Sequence, residues 1–326
     1  LVTLPVPRVF DAATIRAAVD LDTEVVMVVE AAFASLGRED VVMPPVLRLD
    51  IPGRPAEMDV KTAWLPGVPV FCLKVSTGFF DNAARGLPSL GGMMTVLDAQ
   101  TGHVRAVLLD QGWLTDVRTA AAGAVAARWL ARDDARVAAI VGTGAQARLQ
   151  ARALAQVRPI TRWVVAGRDL TKARAAAADI AAATGCEAVA VDSVETAVRD
   201  ADVIVTTTAA TAPLVRAEWL RPGQHVTAMG ADAEHKQELD VQVLARADRV
   251  VVDRRAQCVR LGELHHAIAA GVIDAADAVE LGEVVIGRAA GRPSRDAITV
   301  CDLTGTGAQD TAIAALALAR LETAGR

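Results

Sequence analysis

A short apolar run followed by two glycines carries the most specific chemistry in the chain. Val137-Ala-Ala-Ile-Val141 reads as a strand, and Gly142-x-Gly144-x-x-Ala147 opens a helix directly behind it. In that setting Gly142 allows a tight turn and Gly144 lets backbone N–H groups approach a pyrophosphate. Ala147 is small enough for the helix to pack close to the strand. The helix dipole adds attraction for the anion. The implied ligand is a nicotinamide dinucleotide, NAD(P)(H), and the implied chemistry is hydride transfer. The next strand ends at Val164-Val-Ala-Gly-Arg168-Asp169. An acid about 20 positions past the glycines suits a free ribose 2′-hydroxyl, whereas an arginine suits a 2′-phosphate. Arg168 lies 24 residues beyond Gly144 and leans the expectation towards NADP, while Asp169 beside it is equally a helix cap. Asp202-Val-Ile-Val-Thr-Thr-Thr208 is a strand ending in hydroxyls. Thr206 and Thr207 there are either a wall for the nicotinamide ribose or an ordinary strand exit.

An α/β frame must position these residues, and the patterning from Thr115 onward predicts one. An alanine-rich helix runs to Ala131. Strand and helix patterns then alternate: Val137–Val141, Ala145–Val157, Arg162–Ala166, Thr171–Ala183, Ala188–Val191 and Asp202–Val205. Such alternation implies crossovers and a parallel sheet. The texture before Leu114 differs. A helical pattern over Asp11–Leu36 precedes short apolar runs, Val70–Val75, Met93–Leu97 and Val104–Leu109, broken by Pro and Gly. These read as strands joined by turns. A chain of 326 residues is long for one core, so two domains are expected.

Bulk properties narrow the classes. The hydrophobic share is 52%, the net charge is −5 and no Lys/Arg block occurs, so neither nucleic acid nor an anionic membrane is an expected partner. No apolar run is long enough to span a bilayer. Leu1 to Asp11 shows no basic stretch followed by an apolar one, so no signal peptide is expected. Cys72, Cys186, Cys258 and Cys301 are scattered without a CxxC pair and read as small buried hydrophobes, in keeping with the cytoplasm. His265 and His266 are adjacent on a helical pattern and cannot both face one metal, and no metal is expected.

Several motifs in order resemble the ornithine cyclodeaminase/mu-crystallin family across essentially the whole chain. They are Asp116-Val-Arg-Thr-Ala-Ala-Ala-Gly123, Val141-Gly-Thr-Gly-Ala-Gln146, His225-Val-Thr-Ala-Met-Gly-Ala-Asp232 and Thr304-Gly-Thr-Gly-Ala-Gln-Asp310. Val60-Lys-Thr62, Gly78-Phe-Phe-Asp-Asn82, Gly230-Ala-Asp-Ala-Glu-His-Lys236 and Gly262-Glu-Leu-His-His266 resemble one subgroup, which contains ectoine-utilisation cyclodeaminase-like proteins and iminosuccinate reductases. The resemblance implies a Rossmann domain over 115–297. It also implies a mixed α+β substrate and dimerisation domain over 1–114 rejoined by 298–326, a homodimer, and a site in the cleft between the domains. It implies Lys74 and Asp232 as catalytic residues and Arg48 and Arg118 as a carboxylate clamp. Lys61 and His235 are added as substrate contacts, with Lys236 beside them. Thr119, Ala145, Gln146 and Met229 join the glycines, Arg168 and the threonines around the cofactor. Glu57 is matched weakly to an acid of the cyclodeaminases.

Three functions follow from the resemblance. One is NAD(P)H-dependent reduction of a small imino acid, with iminosuccinate giving L-aspartate. A second is cyclodeamination of a diamino acid, and a third is an NADPH-bound ligand carrier like mu-crystallin. An ammonium tail needs a buried acid, whereas a second carboxylate needs another cation. Lys61, His235 and Lys236 favour the reductase.

Overall fold

The computed structural model describes residues 6–324, which divide into two units. One unit runs to Arg118 and resumes at Thr306, and the other is Thr119–Gly305. Residues 1–5 of the stretch read for a leader lie outside the described residues. Among the described residues no helix is long and apolar enough to cross a membrane.

The first unit is a six-stranded sheet ordered Arg8–Asp11, Val104–Leu109, Leu90–Asp98, Val70–Phe79, Ala56–Ala63, Leu47–Asp50, antiparallel except for its first pair. Side chains alternate across such strands. Phe10, Ala63, Cys72, Met94, Val96, Ala106 and Leu108 share one buried face. Helix Gly307–Ala324 lies against strands Ala56–Ala63 and Val70–Phe79, and helix Thr23–Arg38 lies against that helix. The single helix expected over Asp11–Leu36 is instead two, Ala12–Ala18 and Thr23–Arg38. Asp11 accepts from the Thr14 N–H at 2.8 Å and Asp22 from the Val25 N–H at 3.0 Å, so each aspartate starts its own helix.

The second unit is an eight-stranded, wholly parallel sheet ordered Val279–Glu280, Arg249–Val252, Thr299–Asp302, His225–Ala228, Val203–Thr206, Val137–Val141, Arg162–Ala166, Glu187–Val191. From Val137–Val141 the chain winds outward to Glu187–Val191, then crosses back to Val203–Thr206 on the other side of its first strand. That reversal is the topological switch point of a Rossmann fold, where ligands bind beyond the carboxyl ends of the strands. The boundary expected at 298 falls too early. Strand Thr299–Asp302 pairs with His225–Ala228 and Arg249–Val252 inside this sheet, and the chain leaves it only at Thr306. All four cysteines are free thiols; Cys72, Cys258 and Cys301 are buried and Cys186 is half-buried.

Candidate active site

In the first unit the sheet register places Lys74 directly opposite Lys61 on one side and Met94 on the other. Both lysines are buried, Lys74 to 2% exposure. Like charges directly opposite oppose sheet formation, so something must hold them there. Asp310 does, from the first turn of helix Gly307–Ala324. Its Oδ2 lies 2.9 Å from Lys74 Nζ and its Oδ1 3.0 Å from Arg118 Nε. Both are ion pairs at hydrogen-bonding distance without hydrogen-bond angles. Arg118, near the middle of helix Trp113–Leu130, also donates to Gln309 Oε1 at 3.1 Å. Burial pulls the Lys74 ammonium down to about 8; Asp310 opposes that shift, while Arg118 and Lys61 add to it. Burial works to raise the Asp310 carboxyl, but Lys74, Arg118 and Lys61 outweigh it and hold the group below its usual value.

Lys61, Lys74 and Arg118 thus come together around a residue that motif reading passed over. Asp310 ends the Thr304–Asp310 motif, and its place in that motif was the one available signal. Arg48 sits on the same sheet face, opposite Asp59, but makes its contacts with acids. It pairs with Glu57, with Asp50 at 2.9 Å and with Asp59 at 3.8 Å. Arg48, expected in the carboxylate clamp, thus stands among the acids of its own sheet edge.

In the second unit Gly142 and Gly144 follow strand Val137–Val141 at the switch point, with Thr206 and Thr207 at the end of the neighbouring strand. Gly142 has φ +132°, and a Cβ there would lie 2.3 Å from Thr207 Oγ1. Gly144 is the N-cap of helix Ala145–Ala155, and a Cβ there would meet nothing within 4 Å. Open space in front of a helix N-terminus is what a pyrophosphate requires, so the residues present fit a dinucleotide. Ala145 and Gln146 form the first turn, and the Thr119 carbonyl accepts from Gln150 Nε2 at 3.1 Å. Arg148, unforeseen in the sequence, donates to the Thr143 carbonyl at 2.7 Å and the Gly144 carbonyl at 3.1 Å, bracing the turn.

Thr206 does not present its hydroxyl to solvent. It is buried and donates to Glu238 Oε2 at 2.6 Å. Glu238 also accepts from the Thr208 N–H and hydroxyl and from the Gly230 N–H, tying the exits of two strands together. This buried carboxylate was invisible in the sequence because its partners come from separate crossovers. Met229, half-buried, lies beside that tie. Asp232 is half-exposed and pairs with Lys236 Nζ at 2.5 Å. Lys236 is buried and His235 is exposed.

Arg168 is exposed after strand Arg162–Ala166, and Asp169 caps helix Leu170–Thr184 by accepting from the Thr171 and Lys172 N–H groups. With the acid engaged in capping, Arg168→Asp is expected to raise the NADH-to-NADPH ratio of kcat/KM. An unchanged ratio in steady-state assays would remove Arg168 from the ribose.

A doubly wound parallel sheet with this glycine turn at its switch point defines a Rossmann dinucleotide-binding protein. The chain belongs to the ornithine cyclodeaminase/mu-crystallin family, whose sequence profile matches residues 6–324. Among its relatives, a Rhizobium meliloti protein named only as a dehydrogenase is 54% identical, over 97% of this chain and 96% of its own. The iminosuccinate reductase of Paracoccus denitrificans is 37% identical, over 88% of each chain. Its solved structure in complex with NAD+ superposes with a TM-score of 0.90, covering 98% of this chain and 97% of its own at 33% identity. The Δ1-pyrroline-2-carboxylate reductase of Thermococcus litoralis, solved with NADH and L-proline, gives a TM-score of 0.93 at 27% identity and covers 98% of each chain.

Proposed function

We propose that the protein is an NAD(P)H-dependent reductase of a small imino acid, with iminosuccinate giving L-aspartate as the favoured reaction. One observation carries this reading: two buried cations, Lys74 and Arg118, share a single carboxylate, Asp310, and Lys61 adds a third positive charge. Around them Arg118 Nε and Gln309 Nε2 are buried without hydrogen bonds. Buried donors beside two cations that share one carboxylate suit a carboxylate-bearing ligand. A nicotinamide supplies the hydride. Arg118 binds the α-carboxylate through its fork and so orients the imine carbon. Lys74 balances charge and supplies a proton as the imine nitrogen becomes an amine. The family resemblance assigns that nitrogen to Asp232, whose carboxylate is paired with Lys236. Lys61 serves the second carboxylate. Glu57, the acid an ammonium tail would require, is tied to Arg48, which favours the reductase over a cyclodeaminase.

The test is a panel of oxo acids with ammonia, and of diamino acids with oxidised cofactor, followed at the nicotinamide absorbance. Oxaloacetate with ammonia should give the highest kcat/KM. Faster conversion of ornithine to proline would move the reading to a cyclodeaminase, and no turnover on any member would move it to a carrier.

We further propose a symmetric homodimer through the first unit. The sheet face opposite Lys74 exposes Val9, Leu47, Leu49, Leu73, Met93 and Leu109, an apolar row that crosses the sheet. Contiguous exposed apolar surface of this kind marks an interface. Sedimentation should give a dimer at micromolar concentration and Leu73→Glu a monomer; a monomeric parent protein would contradict the assignment.

A further inference from the structure

The chain carries 34 Lys and Arg residues, and lysine stands at only four positions: 61, 74, 172 and 236. Three of these lysines are buried. The other 30 cationic positions are arginine, which does not titrate near neutrality. At 74 the chain places an ammonium that can lose its proton, in a site that burial makes hostile to the charged form. Among the described residues, the charged groups that act most strongly on Lys74 come from the elements packed around it. Arg118 on helix Trp113–Leu130 and Lys61 on the adjoining strand work against its charge. Asp310 on helix Gly307–Ala324 works for it, and Asp110, which caps helix Trp113–Leu130, feels it at longer range. The opposing residue on strand Leu90–Asp98 is the uncharged Met94. Asp310 is therefore the contact carboxylate on which the charge of Lys74 depends. The same carboxylate grips Arg118 at Nε, leaving Nη1 to donate to Gln309. A grip on Nε fixes the plane of the fork.

We propose that Asp310 is a positioning residue for the reduction: one carboxylate keeps Lys74 protonated and sets the plane of the Arg118 guanidinium that receives the substrate carboxylate. The inference rests on the reductase reading, in which Lys74 acts as a cation and proton source. The role differs from that of a structural ion pair because it fixes a protonation state.

The sign follows directly. Protonated Lys74 is the active form, so activity falls as pH rises through about 8. Removing the charge of Asp310 withdraws the one contact that favours the ammonium, and the limb moves down. An opposite charge at contact distance shifts such a group by about 1–3 units. Two measurements test this. The first is the pH profile of kcat/KM for reductive amination of oxaloacetate at a fixed concentration of unprotonated ammonia. Asp310→Asn should bring the alkaline limb down by about 1–3 units, with a loss of about threefold for the smallest shift and about two hundredfold for the largest at pH 7.5, shrinking as pH falls. A uniform loss with the limb unmoved is the behaviour of a structural residue and overturns the proposal. The second measurement needs no activity: the 15Nζ titration of Lys74 in the substrate-free protein, assigned by its loss in Lys74→Arg. An unmoved titration in Asp310→Asn overturns the proposal. A moved titration without an alkaline limb in the wild-type profile upholds the hold of Asp310 and removes Lys74 from the reaction. Should Asp310→Asn fail to fold, Asp310→Glu decides the matter. It should keep the Lys74 titration near that of wild type while raising KM about tenfold, because the carboxylate is displaced by one methylene; wild-type KM would overturn the proposal.

Discussion

Gly144→Val should fold normally and lose nicotinamide binding. The φ of Gly144 is −81°, open to any residue, and the added side chain meets no protein atom. It enters the space in front of helix Ala145–Ala155, which a pyrophosphate would fill. Two charge-assisted hydrogen bonds to that anion are worth about 1.5–3 kcal/mol each, so affinity should fall by about a hundredfold or more. Calorimetric titration with NADH and NADPH reads the loss, and unchanged binding in a folded variant would refute the site. Gly142→Ala supplies the contrast. At φ +132° and 2.3 Å from Thr207 Oγ1, its methyl strains the turn itself, so the melting temperature should drop along with binding.

Lys74→Met should lower kcat by about 10²–10⁴ with nicotinamide affinity unchanged, the range expected when a positioned proton donor is lost. Methionine fills the same channel beside Met94, and Asp310 keeps Arg118 as a partner. Arg118→Ala should behave differently. It should raise KM at least about tenfold and cost about 3–5 kcal/mol of stability, because a fully buried carboxylate loses a contact cation. Steady-state kinetics beside thermal melts separates the two variants. A Lys74→Met enzyme within threefold of wild-type kcat would take Lys74 out of the reacting centre.

The parts of the fold that were legible in the sequence are those whose burial is local. Strands Val137–Val141 and Arg162–Ala166 lie inside a parallel sheet covered on both faces, so they appear as unbroken apolar runs with readable ends. The glycine turn was legible for the same reason, since its constraint lies within six residues. Strand Thr299–Asp302 is just as buried, but it begins and ends on polar residues and which of two sheets it joins depends on partners elsewhere in the chain, so the expected boundary fell before it. The site divides in the same way. Lys74 and Arg118 stand in recognisable settings, whereas the acid between them is a single aspartate at a helix start, meaningful only once helix Gly307–Ala324 is laid on strand Val70–Phe79. Arg48 shows the converse: a basic residue at a matching position whose acidic neighbours, Asp50 on its own strand and Glu57 and Asp59 on the next, appear only in the sheet register. Glu238 escaped notice because its four donors, Thr206, Thr208 twice and Gly230, belong to separate strand exits.

The central claim is hydride delivery to the α-carbon of a dicarboxylic imine held by Arg118 and Lys74. It is tested most directly by supplying nicotinamide cofactor deuterated at both C4 positions together with oxaloacetate and ammonia, then analysing the amino acid formed. The account predicts L-aspartate carrying one deuterium at C2, produced by the wild type and reduced about a hundredfold or more in rate in Lys74→Met. Deuterium-free product, malate in place of aspartate, or no product while ornithine yields proline would contradict it.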